Sequence, residues 1–455
     1  MKTVRIGGGQ GFWGDSPDAA IHMMKHGNLN YMACDYLAEL TLSIMARQKM
    51  RNPKAGFAHD FLKLAEQVAR DSMEKNIGIV TNAGGMNVEG CVTQLAERLS
   101  QQGLSGYKIG YVLGDDLKDK LPDLIAQGLE FENSDTGESI RSIQDKIVNV
   151  NVYHGANPII ACLQGGANTV ITGRAADSAL FLAPLRKEFN WGEDDNDLLA
   201  RGIMAGHLLE CGGQGAGGNF DYDWRSVPAM DQLGFPIAEI SNESLHITKA
   251  PNCGGLITEQ SCKEQLLYEV HDPANYLTPD VHVDLKDATV TQVGPDRVRV
   301  DGLRGKPRPE TLKLCVGYHA GYKTVSYLSY AWPDAYEKAQ YAADILMKKM
   351  QRQGLQAESI DISFVGLNAL HLKTANMHPD FLKELNEVVL RIAIYSKDKA
   401  EVEKIIPEIA PLQLNGPPGA SFFGGRTKAQ EVIALWPTFI PASAVSLDPR
   451  ILEVK

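Results

Sequence analysis

Short apolar runs alternate with amphipathic stretches through the first half of the chain, and most runs end in glycine or small polar residues. Continuous apolar runs of this length are typical of strands buried on both faces of a parallel sheet. The pattern predicts strands at 77–80, 107–113, 147–152 and 169–172. The order strand, loop, helix, strand indicates right-handed crossovers. We therefore expect an α/β fold with a Rossmann-like, mostly parallel sheet and helices on both faces.

The pattern changes in the second half of the chain. Residues 287–300 alternate apolar and polar positions around a Gly-Pro-Asp turn, which predicts an antiparallel hairpin. Further elements are predicted as strands at 311–316, 324–330, 361–365 and 388–395, with helices at 333–353 and at 397–406, the latter ended by Pro407. We expect an α/β domain over 1–250 and a C-terminal α+β lobe over 251–455 that contains the hairpin and the long helix.

Charge and hydropathy argue against nucleic-acid and membrane partners. The 455 residues include 45 basic and 56 acidic side chains, a formal net charge of −11. Binding to nucleic acid or an anionic membrane surface requires clustered Lys and Arg, and the short basic stretch 304–308 fits a solvated loop. We expect no transmembrane helix, because the chain has no apolar run of about 18 residues.

The cysteine pattern and the N-terminus indicate the compartment. Seven cysteines are widely spread and none forms a C-x-x-C motif, which favours reduced thiols in a cytoplasmic protein. The chain passes from Met1 directly into a predicted strand, so we expect no signal peptide.

The opening glycine-rich segment, 7–18, raises the possibility of a phosphate-binding loop. Gly9, Gly11 and Gly14 fit the G-x-G-x-x-G pattern. Asp35 follows 21 residues after Gly14, close to where a dinucleotide-binding unit places its ribose-binding acid. A helix is predicted to begin just after the loop, with Asp15 or Ser16 as its N-cap.

Two features of the same segment argue against a dinucleotide. Phe12 and Trp13 are bulky where a pyrophosphate needs close approach, and Gly14 precedes the predicted helix instead of lying in it. Three interpretations stay open: an NAD(P)-binding loop, a site for another anion such as coenzyme A or a carboxylate, and a structural turn.

Other polar and glycine residues follow the predicted strands. In an open parallel sheet, ligands bind beyond the carboxyl ends of the strands, and glycine lets backbone amides approach a ligand closely. The further ligand-binding candidates are Asn82, Gly84, Gly85, Asp115, Gly173 and Asp177. We expect these loops to converge on one anion-binding hollow.

Arg174 follows directly after the predicted strand at 169–172. A buried arginine is costly unless it meets an anion, and its fork can hold a carboxylate or a phosphate in two hydrogen bonds. The alternative is a structural pair between Arg174 and Asp177.

Three side chains are candidates for acid/base catalysis: His154 at a strand end, and His207 and Glu210 near the end of a predicted helix. His207 and Cys211 share a helix face, so they can also be read as metal ligands or a Cys–His pair. No complete metal-ligand set accompanies them in the sequence, and we predict no metal site. The structural alternative is a helix C-terminus followed by glycine. A loop at 415–426 carries a second arginine, Arg426, which either closes over a ligand or connects the lobes.

Several long segments resemble the acyclic terpene utilisation family, AtuA. The resemblance covers nearly the whole chain. The segments that carry it are GFWGDSPDAA, DYLAELT, TNAGGMN, GDDL, ITGRAADSAL, AGHLLECGGQGAGG, GFPIAE, TKAPNCGGLIT, EQLLYEVHDPANYLTPDV and GPPGASFFGGR.

The resemblance implies a role in the breakdown of citronellol- and geraniol-type compounds and of branched acids, routes that use coenzyme A thioesters. It assigns no catalytic residue. Some relatives carry an extra ferredoxin-like domain, and a small partner subunit with that fold is expected to supply it for this chain. We also expect a homo-oligomer. We expect a cytoplasmic enzyme of hydratase or lyase type acting on an acyl-CoA or a hydroxy acid, in which Arg174 holds the anionic end of the substrate. The alternatives are an NAD(P)-dependent oxidoreductase and a non-catalytic scaffold subunit.

Overall fold

A computed structural model describes residues 2–422, 424–425 and 427–455 of the chain. Arg426, the second arginine of the loop at 415–426, lies outside the described residues. The chain forms two compact units, Met1–Gly317 with Leu435–Lys455, and Tyr318–Ala434. The predicted boundary at 250/251 lies within the first of these units.

The strands are β1 (Val4–Gln10), β2 (Tyr31–Cys34), β3 (Gly78–Thr81), β4 (Lys108–Leu113), β5 (Ile147–Val152), β6 (Thr169–Ile171), β7 (Pro236–Ile240), β8 (Leu245–Lys249), β9 (Tyr276–Leu277), β10 (His282–Asp284), β11 (Thr289–Gly294), β12 (Arg297–Asp301), β13 (Arg304–Lys306), β14 (Thr311–Ala331), β15 (Ser359–Val365), β16 (Glu387–Ser396), β17 (Ser421–Phe422), β18 (Gln430–Pro441) and β19 (Asp448–Glu453).

The helices are α1 (Asp18–His26), α2 (Glu39–Arg51), α3 (His59–Lys75), α4 (Val88–Gln101), α5 (Leu121–Ala126), α6 (Asn157–Gln164), α7 (Ala179–Phe189), α8 (Asn196–Leu209), α9 (Glu259–Leu267), α10 (Ala335–Arg352), α11 (Pro379–Lys383), α12 (Lys399–Glu403), α13 (Ile406–Ile409) and α14 (Leu412–Asn415). Within the described ranges, no helix has the length and apolar character that crossing a membrane requires.

The first unit is built on a mixed sheet. Over the described residues it has ten strands in the order β11-β12-β8-β7-β1-β2-β3-β6-β4-β19. The central strands β1, β2, β3, β6 and β4 are parallel to one another, as the crossover pattern predicts. The flanking pairs are antiparallel. The fold is therefore mixed α/β, and the expectation of a mostly parallel sheet is too strong, because hairpins extend one edge and β19 the other.

The residues of the central strands alternate between two cores. On β2, Tyr31 and Ala33 belong to one buried apolar cluster, and Met32 and Cys34 belong to the other. Successive strand side chains point to opposite faces of a sheet, so each cluster fills one face. Helices α7 and α8 contribute to the first cluster, and α1, α3 and α4 to the second.

The predicted hairpin at 287–300 is confirmed as the antiparallel pair β11 and β12. It joins the main sheet through the pairing of β12 with β8. The placement of 147–152 in the parallel sheet is wrong, because β5 pairs with β14. The apolar run is interrupted there by Asn149 and Asn151, which are buried and take part in a side-chain hydrogen-bond chain.

The second unit is an antiparallel sheet with a long helix. Strand β16 lies between β15 and β14, and the predicted helix at 333–353 is confirmed as α10. The two strands predicted at 311–316 and 324–330 are one continuous strand, β14. The single helix predicted at 397–406 is replaced by α12 and α13, and Pro407 lies in the first turn of α13 instead of ending a helix. Proline fits a first turn because its missing N–H needs no partner there.

Candidate functional site

Loops that follow three parallel strands line one cavity of about 880 Å³. Gly11 and Asp15 come from the loop after β1, Asp35 from the loop after β2, and Arg174 and Asp177 from the loop after β6. The end of α8 adds further residues to the same wall. These segments are distant in sequence, and they meet because the carboxyl ends of parallel strands lie at one edge of a sheet.

The glycines of the opening motif are close-packed. Strand β1 extends to Gln10, so Gly9 lies inside the strand and not in a loop. A Cβ on Gly9 would lie 2.7 Å from the Cys34 sulfur, and one on Gly11 would lie 2.6 Å from the carbonyl carbon of Cys211. Gly14 has a φ of +99° with open space around it, a conformation that favours glycine. Packing and a turn account for the pattern.

The start of α1 differs from the predicted cap. The helix begins at Asp18, and Pro17, not Asp15 or Ser16, occupies the capping position. The Asp15 carboxylate instead accepts hydrogen bonds from the backbone N–H groups of Gly11 at 3.0 Å and of Ser16 at 2.8 Å. Asp15 therefore fixes the shape of this loop at the cavity wall.

Asp35 is held by its own loop and by the loop after β3. Its Oδ1 accepts hydrogen bonds from the Asn82 side-chain amide at 2.5 Å and from the Leu37 N–H at 3.1 Å. Burial raises the pKa of Asp35 to about 6, against the opposing effect of Arg174. Asn82 in turn accepts from the Tyr36 N–H at 2.8 Å. The ribose-binding acid of the dinucleotide interpretation is thus engaged in hydrogen bonds within the protein.

The neighbouring glycines of the loop after β3 serve close packing. A Cβ on Gly84 would lie 2.6 Å from the Thr172 carbonyl oxygen, and one on Gly85 would lie 2.4 Å from the Met45 sulfur. Neither glycine lines the 880 Å³ cavity.

The Asp115 carboxylate fixes the backbone of Arg174. Its Oδ2 accepts hydrogen bonds from the Arg174 N–H at 2.8 Å and from the Asn151 side-chain amide at 3.1 Å. Burial raises the pKa of Asp115. A Cβ on Gly173 would lie 2.4 Å from the same carboxylate oxygen, so glycine is required for this close approach. Asp115 and Gly173 do not line the cavity, and they instead hold the loop that carries Arg174.

Arg174 is buried, with 1 % of its surface exposed. Its Nη2 donates to Asp177 Oδ1, its Nη1 donates to the Leu37 carbonyl at 2.5 Å, and its guanidinium carbon lies 4.1 Å from the Tyr153 ring centroid. The alternative Arg174–Asp177 pair is therefore present, and both terminal nitrogens have partners within the protein.

Glu210 and His207 form a hydrogen-bonded pair. His207 Nδ1 lies 2.9 Å from Glu210 Oε1. Glu210 Oε2 is buried and has no hydrogen-bond partner among the described residues. Burial opposes protonation of His207, but the hydrogen bond and charge of Glu210 outweigh it and raise the pKa of the imidazole. Glu210 lines the cavity, whereas His207 lies behind it.

His154 is placed differently. Its Nδ1 lies 2.9 Å from the Gly155 carbonyl oxygen, the residue is 1 % exposed, and it does not line the 880 Å³ cavity. Burial lowers the pKa of His154 to about 4. The imidazole is therefore neutral at physiological pH and away from the ligand space.

A second cavity of about 520 Å³ adjoins the first. Four residues line both cavities: Tyr153, Asp177, Glu210 and Lys313. Burial raises the pKa of Asp177 well above its usual range, with Asp35 and Glu210 adding to this and Arg174 opposing it. The two carboxyl groups that both cavities share thus differ in environment, one paired with arginine and the other with histidine.

Among the described residues, no group of three or more His, Cys, Asp or Glu side chains is arranged to hold a metal ion. Burial raises the pKa of Cys211 to about 12, so its thiol is protonated and a poor nucleophile.

Glu39 and Lys313 belong to the site but escaped the sequence interpretation. Glu39 lies four residues after Asp35, at the start of α2. It accepts a hydrogen bond from Tyr153 Oη at 3.1 Å and forms an ion pair with Lys313. Extending the search beyond the carboxyl end of β2 by a few residues could have found Glu39. Lys313 lies on β14, outside the parallel sheet, and no sequence signal distinguishes it.

Comparison with known families agrees with the resemblance carried by the sequence segments. The family model that matches is described as acyclic terpene utilisation family protein AtuA, and it covers residues 4–451. Comparisons with curated proteins and with solved structures give no match. Because the match spans nearly the whole chain, this protein belongs to the acyclic terpene utilisation family, AtuA.

Proposed function

We propose that the protein is an enzyme that adds or removes water on a branched, acyclic hydroxy acid or its acyl-CoA thioester, by acid/base chemistry. The observation that carries this proposal is the Glu210 carboxylate. One of its oxygens is held by His207, while the other is buried and unpartnered among the described residues at a cavity wall. An unpartnered buried carboxylate oxygen is energetically costly, and a catalytic role is one of the reasons for which such a group is retained.

Asp177 supplies the second group that such chemistry needs. In the dehydration direction, protonated Asp177 donates its proton to the substrate hydroxyl, which leaves as water when its C–O bond breaks. Glu210 removes the proton from the adjacent carbon, and the electrons of that C–H bond form the C=C bond. Glu210 then holds the proton and Asp177 is ionised, and exchange with solvent resets both groups. The raised pKa of Asp177 favours its protonated form.

The larger cavity has room for the polar reacting end of a branched acid, and part of its wall is apolar. A volume of about 880 Å³ lies within the range of roughly 300–1,000 Å³ that small-molecule sites occupy. Trp13, Leu37 and Phe235 provide apolar wall beside the carboxylates. Membership of a family described by acyclic terpene utilisation agrees with such a substrate.

Heavy-oxygen water tests the proposal directly. The protein is incubated with branched unsaturated acids and the matching hydroxy acids, each free and as the thioester, and label uptake into the hydroxyl group is followed by mass spectrometry. We expect uptake with at least one pair, reduced roughly 10²–10⁴-fold in Glu210→Gln. Glu269→Gln, which changes another carboxylate of the same cavity, serves as the matched control. Equal rates in both variants, or no uptake with any pair, would contradict the proposal.

A further inference from the structure

The charged groups of the larger cavity are mostly acidic. Carboxylates of Asp15, Asp35, Glu39 and Glu269 line it together with the two that both cavities share. Over the described lining, the cations are Arg174 and Lys313, and each already has a carboxylate partner, Asp177 and Glu39 respectively. This differs from the anion-binding hollow expected from the glycine-rich loops.

The smaller cavity is mainly apolar where it is not shared. Its wall includes Leu277, Pro279, Pro309, Leu312, Pro437 and Phe439. The carboxyl groups of Asp177 and Glu210 lie where this apolar wall meets the acidic one. A molecule whose reacting carbon lies at these carboxyl groups therefore has an apolar space on one side.

Lys313 lies at the same junction and retains capacity for one more anion. Its side chain is 47 % exposed, and it pairs with Glu39. An ammonium group has three donors, so Lys313 can hold a single carboxylate in addition to Glu39. The diphosphate and the third phosphate of coenzyme A would instead require several unpaired cations.

We propose that the substrate is a free branched hydroxy acid, bound without coenzyme A. This inference rests on the proposed function and narrows its substrate class. The carboxylate of the substrate binds Lys313, the carbon that carries the hydroxyl lies at Asp177 and Glu210, and the branched chain fills the smaller cavity. A thioester would place its phosphates in the larger cavity, where the ionised carboxylates among its six acidic side chains repel them.

Calorimetric binding of citronellic acid, citronellyl-CoA and coenzyme A alone tests the choice of substrate form. The free acid is expected to bind at least tenfold more tightly than the thioester, and coenzyme A alone is expected not to bind. Lys313→Met should weaken binding of the acid roughly tenfold or more and leave binding of citronellol, which has no carboxylate, unchanged. Tighter binding of the thioester, or unchanged binding of the acid to Lys313→Met, would overturn the proposal.

The position of the substrate's branched chain is tested with a series of branched acids of increasing length. Affinity should rise about three- to fourfold for each methylene group buried in the smaller cavity. Leu277→Asp, on an exposed strand position of this wall, should abolish that gain for the longer acids. Val293→Asp, at a comparably exposed strand position outside both cavities, is the matched control. A length dependence that Leu277→Asp leaves unchanged would contradict the assignment.

The two proposals fail in different ways. Binding is measured on the full chain and on Glu210→Gln, and it does not depend on turnover. Preferential binding of the free acid without label uptake refutes the hydratase or lyase assignment and leaves this inference standing. Label uptake with the thioester alone refutes this inference and leaves the reaction type standing.

Discussion

His207 Nδ1 lies 2.9 Å from Glu210 Oε1, so a buried imidazole holds one oxygen of a carboxylate whose other oxygen has no partner among the described residues. Glu210 lines both cavities, and His207 lines neither. The pair therefore assigns different roles to two residues that the sequence presents as equivalent acid/base candidates. Glu210 faces the ligand space, and His207 is a positioning residue that sets the orientation and charge environment of Glu210.

Replacing the imidazole should change the pH dependence of the reaction. In His207→Gln the imidazole, whose pKa Glu210 raises, no longer titrates, so its ionisation is lost from the pH–rate profile and the profile shifts. We expect kcat to fall roughly tenfold to a hundredfold with KM little changed. Steady-state kinetics across pH measures this. A lower kcat with an unshifted profile would indicate a role in folding alone.

Gly173 should tolerate no side chain. A Cβ added at this position would lie 2.4 Å from the Asp115 carboxylate, so Gly173→Ala must displace Asp115 or the Arg174 N–H that donates to it. We expect a loss of about 1–3 kcal/mol in the free energy of unfolding. Gly294→Ala, where the nearest atom lies at 3.8 Å, is the control. Urea denaturation compares the two, and equal stability would refute the requirement for glycine.

Ionisation of Asp35 should lower the free energy of unfolding as pH rises. Its pKa is about 6 in the folded chain, above the unfolded value, so the folded state binds the proton more tightly. The stabilisation is fully present below about pH 4 and is lost as pH rises through about 6, amounting to about 3 kcal/mol.

Asp35→Asn keeps a carbonyl oxygen to accept from Asn82 and removes the titration. Its stability should therefore fall less than that of the unaltered protein between about pH 4 and about pH 7. Asp123→Asn, at an exposed position of α5, controls for charge alone. Parallel stability profiles of Asp35→Asn and the unaltered protein would show that Asp35 does not titrate in this window.

Substitutions of Arg174 and Asp177 should have non-additive effects on the free energy of unfolding. Arg174→Met removes the partner of Asp177 together with the contacts to the Leu37 carbonyl and the Tyr153 ring. Breaking one side of a fully buried ion pair costs about 3–5 kcal/mol. The cost should be smaller for this pair, because the Asp177 side chain is 35 % exposed and can take up a proton. We expect Arg174→Met to be more destabilising than Arg174→Met with Asp177→Asn. An additive double-mutant cycle in urea denaturation would contradict the coupling.

The strand-end loops could be predicted from the sequence because buried parallel strands are continuous apolar runs with a clear end. The sequence pattern does not show which strand β5 pairs with. An apolar run broken by Asn149 and Asn151 predicts a strand, but it predicts the same strand for any partner. The placement of that strand depends on hydrogen bonds to side chains distant in sequence: Ser43 donates to Asn149 Oδ1, and Asn151 donates to Asp115.

The charge of the site was harder to predict than its location. Arg174 was identified from its place at a strand end, but its pairing with Asp177 and the Leu37 carbonyl depends on how separate loops fold together. The glycine motif suggested an anion, whereas Gly9 and Gly11 instead allow β1 and its loop to pack against Cys34 and Cys211. Spacing alone does not distinguish a glycine that faces a ligand from one that faces a neighbouring strand.

Proton exchange in heavy water tests the central claim, that Glu210 removes a proton from the substrate. The measurement is the rate at which deuterium enters the carbon next to the hydroxyl-bearing carbon of a bound branched hydroxy acid. We predict exchange with the unaltered protein and with Glu269→Gln, and a rate lowered at least about 100-fold in Glu210→Gln with affinity for the acid retained. Exchange in Glu210→Gln at the rate of the unaltered protein would contradict the account.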